Sequence, residues 1–309
     1  MGQQLWSVNS LGGFLSNNQL SKQVRHRSQT MQKFRQFVSP EPAAGSNRGE
    51  KVFFNKISNI STAGGTLLET DTIPKRNFTI TQGTLTITEY GNSVPFTLKA
   101  RTLSDVQLPD IVNTVLRNDM AKVLDSAAAT QFKTNDYVAT ITNTATTTFG
   151  SAGAALATAG ANMSDKNVRD IVDRMKTLNI PTYDGENYIC IASTNSIRGL
   201  YDFFEAKAVQ TTMAPLYQGE VGQYYKTRFV EETNFLSNAD GSNGLYGEAV
   251  FFGEDAVREG IAIPEEIRIS IPTDYGRDQG AAWYALLGFQ QVWDFSADGE
   301  TRIIVVDSL

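Results

Sequence analysis

Residues 219–235 read GEVGQYYKTRFVEETNF. The second half, Lys226 to Thr233, has the aromatic and β-branched content of a strand. Adjacent strand residues point to opposite faces, so Glu231 and Glu232 cannot form the facing carboxylate pair a glycosidase needs. Arg228 with Glu231 or Glu232 makes a candidate ion pair at a charged strand end, a type of contact worth little. The segment has no catalytic logic of its own.

Just upstream, NYICIAS (187–193) reads as a buried strand. A helix is predicted before it. Ser164 is a good N-cap, Val168, Ile171, Val172, Met175 and Leu178 make an apolar stripe, and Pro181 stops it. A short helix after the strand puts Ile197, Leu200, Tyr201 and Phe204 on one side. Downstream, EAVFFG, EIRISIP, AAWYALLGFQQVWDF and TRIIVVD read as strands, with NADGSNG (238–244) and ADGE (297–300) as turns.

A long helix is predicted over 108–132, with Leu108, Val112, Val115, Met120, Val123 and Ala127 approximating its apolar face and Pro109 in the first turn. The Ala-rich stretch from Phe149 to Met163 reads as a loop. Nearer the N-terminus, KVFFNKI (51–57) and NFTITQGTLTIT (77–88) form a hairpin, with Gly83 marking a bulge or bend. So long a connection, about twenty residues, does not pack easily into a compact core and suggests an extended arm that needs a neighbour. Before it lies a polar arm ending in the linker SPEPAAGSNRG, with a short basic helix possible over Leu20 to Val38.

Composition excludes several classes. Hydrophobic residues at 41% and charged residues at 19% are ordinary for a folded chain, so disorder and fibrous repeats are set aside. No apolar run approaches the roughly 20 residues that span a bilayer, and the N-terminus lacks a secretory pattern. The lone Cys190 and lone His26 exclude an intramolecular disulfide, a Cys–His nucleophile pair and a zinc site, and Cys190 reads as a buried thiol. Nucleotide loops and the nucleophile elbow are missing, and no cofactor is implied. Net charge is −6, yet residues 1–50 hold six basic against two acidic side chains. Such an arm can meet nucleic acid or an acidic surface, or remain a solvated tail.

Gly219, Glu220, Gly222, Arg228, Phe229 and Glu231 resemble the G-E-x-G…R-F-x-E element of tailed-phage major capsid proteins, most closely the podovirus N-four capsid family. YDGENYICIASTNSIRGLYD before it and FFGEDAVREGIAIPE after it resemble the flanking elements of that family, in the same order. The resemblance implies an α+β HK-ninety-seven-type capsid fold: N-terminal arm (1–48), extended β-hairpin loop (49–90), peripheral domain with a long spine helix (91–161), axial domain (162–262) and a return to the peripheral domain (263–309).

It also implies a function without catalysis. The subunit forms the hexamers and pentamers of an icosahedral head around double-stranded DNA, and it is assembled in the host cytoplasm. Phe53, Phe54, Lys75, Arg76, Phe78, Ile80, Arg228, Glu231 and Glu232 are the candidate inter-subunit contacts. Lys22, Arg25, Arg27, Lys33 and Arg35 are the candidate DNA-facing residues, on an arm expected to pack on other chains. Portal protein, a separate scaffolding protein and a decoration protein are the implied partners, with no membrane. Some relatives crosslink a loop lysine to a neighbour. Lys56, Lys75 and Lys99 lie in or near the loop without a matching motif, so no crosslink is expected. An encapsulin-type compartment and a soluble carbohydrate-active protein are the alternative readings.

Overall fold

The computed structural model describes residues 27–58, 65–70, 72–104, 107–134, 137–151, 160–201, 220–238, 247–272 and 274–306. Lys22, Arg25, His26, Phe204, Gly219 and most of the 238–244 turn lie outside these residues.

The strands are β1 (Ser39–Pro40), β2 (Lys51–Ile57), β3 (Ile80–Thr86), β4 (Thr88–Thr97), β5 (Tyr137–Asn143), β6 (Thr146–Ser151), β7 (Tyr188–Ser193), β8 (Glu220–Tyr224), β9 (Thr227–Glu232), β10 (Ala249–Phe252), β11 (Val257–Ile269), β12 (Asp278–Gln291) and β13 (Ile303–Val306). The helices are α1 (Leu98–Leu103), α2 (Leu108–Lys133), α3 (Asp165–Thr177), α4 (Thr194–Ile197) and α5 (Phe295–Asp298). Three sheets result: β6-β5-β13-β10-β7-β9-β8, β1-β11-β12-β4, and the ribbon β2-β3.

The seven-stranded sheet is covered on both faces, which explains why its central strands are apolar without alternation. Ile189, Ile191, Val250, Phe252, Ile303 and Val305 face one core with α2 and the four-stranded sheet. Tyr188, Cys190, Ala192, Phe251, Ile304 and Val306 face a second core with α3. α3 begins as its sequence predicts. Asn167 N–H donates to Ser164 Oγ while Ser164 N–H donates to Asn167 Oδ1, and Val168, Ile171, Val172 and Met175 are fully buried.

α2 is also as predicted, but its buried face is rotated. Val112, Leu116, Leu124, Ala128, Ala129 and Phe132 are buried, whereas Val115 is exposed. The helix packs on the four-stranded sheet, where Trp283 Nε1–H donates to Asp119 at 2.8 Å. Val115 points away from that contact.

Three other expectations are corrected. Phe149 belongs to β6 rather than to a loop, because Ala139 pairs with it across the β5–β6 hairpin. Gly83 marks no bulge, since the β2–β3 register runs unbroken from Lys51↔Thr86 to Ile57↔Ile80. A side chain there would meet the Phe54 ring at 2.3 Å, so glycine makes room for the cross-strand aromatic. The arm residues 27–33 are not helical, and only a 3-10 turn, Arg35–Phe37, forms.

Candidate functional site

The hairpin has two unlike faces. Val52 and Leu85 point inward and are buried, and Phe54 packs against them. Lys56 also points inward, 10% exposed, and its ammonium meets Asp298 of α5 at 2.5 Å, beside the Trp293 ring. The ribbon is thereby fastened to its own subunit on one side. On the other side Phe53, Ile57 and Ile80 are 58%, 62% and 54% exposed. Phe78, Lys75 and Arg76 continue this outward surface, all exposed. A group of large apolar side chains on one face of a ribbon, exposed among the described residues, has the form of an interface.

The arm contrasts with this. Phe34 and Phe37 are buried in the main core, and Phe34 packs on Phe132 of α2 with ring centroids 5.5 Å apart. The expectation that the arm packs on other chains is overturned for these residues. Its two aromatics at i and i+3 were too sparse a pattern to read as a core stripe.

Arg35 is likewise engaged within its own subunit. Its guanidinium pairs with Glu259 at 2.9 Å and Glu265 at 2.8 Å, which satisfies it within the subunit. The hydrogen bond from Arg35 holds the Glu265 carboxyl below the ordinary range. Burial, working against Arg35, leaves that of Glu259 raised. Lys33 is half-buried, and Arg27 is exposed.

Arg228, Glu231 and Glu232 are brought close in the sheet but are not partners. Arg228 pairs with Glu220 at 2.9 Å and with Asp184 at 3.6 Å. Glu231 accepts a hydrogen bond from Thr194 at 2.8 Å. Glu232 is fully buried and accepts the backbone N–H groups of Asn234, Phe235 and Leu236. The three serve to shape the β9 end and its following turn, and Glu232 has no surface to offer a neighbour.

Sequence reading missed a further exposed group. Ile269, Ile271 and Tyr275, at the β11–β12 end of the four-stranded sheet, are 80%, 87% and 105% exposed. The signal was the i, i+2, i+4 run Ile267–Ile269–Ile271, which continues the strand's apolar alternation past its last paired residue.

No catalytic constellation emerges. Among the described residues no group of three or more His, Cys, Asp or Glu could hold a metal ion, and no helix is long and apolar enough to cross a membrane. Cys190 is fully buried, and burial pushes its thiol well above the ordinary value.

The model of the phage capsid family matches residues 12–195. The chain belongs to this family. A search of curated proteins finds no match. Among solved structures, a chain of Mycobacterium phage Che8 superposes with a TM-score of 0.68 at 14% identity, over 97% of this chain and 99% of that one. The head structure of Helicobacter pylori bacteriophage KHP40 gives a TM-score of 0.68 at 13% identity, over 99% and 100%. The capsid of Ralstonia phage GP4 gives 0.63 at 14%, over 98% of each.

This capsid protein therefore has the HK-ninety-seven-type fold in an α+β chain dominated by sheets, with α2 as the long helix. It is a structural subunit of the icosahedral phage head, a virion component that self-assembles, and not an enzyme. The outward hairpin face and the exposed sheet end are then surfaces of a shell subunit seen alone.

Proposed function

We propose that this subunit builds hexamers and pentamers by laying the outer hairpin face over a neighbouring copy. The observation that carries this is the exposure of Phe53, Ile57 and Ile80 on a ribbon whose opposite face is fastened by Lys56 and Asp298. A ribbon held in place loses little conformational entropy on docking, and a ring or closed shell repeats each modest contact many times. Phe53→Ser with Ile57→Ser should leave subunit melting nearly unchanged, because surface sites usually contribute within about 0.5 kcal/mol. Negative-stain microscopy and sedimentation should show capsomers or particles for the parent chain and mainly free subunits for the variant. A parent chain that stays strictly monomeric even when its scaffolding protein is co-expressed would refute this reading.

The seven-stranded unit is proposed as the axial domain. That adds β5, β6 and β13 to the span 162–262, since all three share its sheet. The four-stranded sheet with α2 forms the peripheral domain. The packaged double-stranded DNA is contacted without sequence preference, by Lys22, Arg25 and Arg27 of the arm rather than by Arg35. An arm found on the outer surface of a filled head would overturn this. Residues 30–42 are committed to their own subunit through Phe34, Phe37 and Glu41, so a separate scaffolding protein is proposed to guide assembly in the host cytoplasm. Portal and decoration proteins complete the proposed partners.

A further inference from the structure

The β11–β12 end of the four-stranded sheet presents an aromatic ring beside an apolar pocket. Asp274, Tyr275 and Gly276 take φ values of 46°, 54° and 88° in succession. Left-handed backbone is unfavourable for residues other than glycine and persists where something else holds it. Here the Asp274–Arg277 ion pair, 3.3 Å, and the Arg277 N–H to Asp274 carbonyl bond, 3.0 Å, hold the turn. The ring gains no burial from this arrangement, since Tyr275 is 105% exposed.

The pocket lies between the same sheet end and the first turns of α2. Its volume is about 260 Å³, below the roughly 300–1,000 Å³ usual for small-molecule sites and fitting a single inserted side chain. Phe96, Val112, Ile269 and Ala281 supply walls. Arg101 and Gln279 form a polar rim, the guanidinium donating to the amide oxygen at 3.2 Å. Apolar walls with a polar rim suit a phenol, whose ring and hydroxyl need those two environments.

We propose that Tyr275 of one subunit inserts into this pocket on a second copy. The inference rests on the shell function proposed above. Charge selects the occupant. The charge on the rim is Arg101 of α1, LKARTL, which also carries Lys99 and no acid. Asp274 and Asp278, against the single cation Arg277, leave the Tyr275 turn net acidic, and it would meet these cations. The other exposed aromatic rings among the described residues, Phe53, Phe78 and Tyr225, lie beside Lys51, Lys75 and Arg76, and Lys226, and would bring cations against cations.

Turn and pocket are different surfaces on one end of one sheet, so the contact is head-to-tail, the kind that forms a ring where the rotation between copies closes. One aromatic buries about 150–250 Å², far short of the roughly 1,200 Å² of a stable pair. The contact therefore forms in the lattice and not between free subunits.

The test uses the full chain with Tyr275→Cys and Asn113→Cys together, Asn113 being an exposed residue of the pocket lining. Oxidised particles should give a ladder of covalent oligomers on a denaturing gel, and neither single variant should. Dimers from the Tyr275→Cys single variant alone would mean that the turn meets itself, and would overturn the proposal. Separately, Tyr275→Ala should lower the yield of closed shells about tenfold with subunit melting unchanged, and Tyr275→Phe should retain most of it. Parent shells that form while the double variant gives no ladder and Tyr275→Ala assembles normally would sink this inference alone. A parent chain that forms no assembly would remove the shell reading and this contact with it.

Discussion

Asp125, on the long helix, caps a turn of the arm ninety residues before it: its oxygens accept the backbone N–H groups of Arg35 at 3.0 Å and Lys33 at 3.1 Å. The 3-10 turn at Arg35–Phe37 has no side-chain cap of its own. Asp125→Ala should orphan both donors, at about 1–3 kcal/mol each for a buried group. The arm would loosen first, taking Phe34 and Phe37 out of the core. Hydrogen exchange should show lost protection confined to residues around 33–38, together with a lower melting temperature. Unchanged exchange there would refute the capping role.

Burial raises the carboxyls of Asp125 and Glu232, partly offset by the N–H groups they accept. Each also disfavours ionisation of the other. A carboxyl whose folded pKa exceeds its unfolded one takes up its proton earlier in the folded chain. Stability from such a group rises as pH falls from above the folded value toward the unfolded one. Glu265 is lowered, so its contribution holds above the unfolded value and is lost as pH falls through the folded one. As pH falls from above the folded value of Asp125 toward its unfolded one, parent melting should therefore improve relative to Asp125→Asn, which cannot titrate. A parent advantage that shrinks over this interval would contradict the sign.

Lys56 sits in a mostly buried pair with Asp298, so it should resist amine-modifying reagents that label the exposed Lys75 and Lys99. Removing one partner of a buried pair costs about 3–5 kcal/mol because the other charge is stranded. Asp298→Ala should accordingly release the hairpin, read as increased proteolysis near residue 57. Assembled shells should run as single subunits on denaturing gels. A covalent ladder there would disprove the absence of a crosslink.

The β8–β9 turn places two non-glycine residues, Tyr225 and Lys226, at φ 44° and 60°. Two-residue hairpins favour Asn-Gly at such positions. The Tyr225 ring is used: its hydroxyl donates to Asp173 at 2.9 Å, and the Lys176 ammonium lies 4.3 Å from the ring centroid. Lys226→Gly should relieve strain and stabilise by up to about 1 kcal/mol. Tyr225→Asn should give no net gain, because it loses both contacts with α3. Urea unfolding of the two variants separates these outcomes.

Elements with strong local signals could be read from the sequence. α3 carried a cap, a stripe and a stop. β7 carried a continuous apolar run, and the hairpin carried alternation in its second strand. The family element at Gly219–Phe235 named the fold without revealing what its charges do. Arg228 turned to Glu220 and Asp184 because strand neighbours point apart and the real partners come from β8 and the loop before β7. The arm was misread for a similar reason. Phe34 and Phe37 acquire a core only when α2 and β10 are already in place. The exposed sheet end went unnoticed because an isoleucine looks the same in a sequence whether or not its strand has ended.

The position of β13 bears on when this chain can begin to polymerise. It lies between β5 and β10, pairing parallel with one and antiparallel with the other. A nascent chain translated as far as residue 252 holds β5 to β10 but keeps them as two unconnected sets of strands. Only after Ile303–Val306 has left the ribosome can the two sets be joined. A subunit competent to assemble therefore requires synthesis through β13.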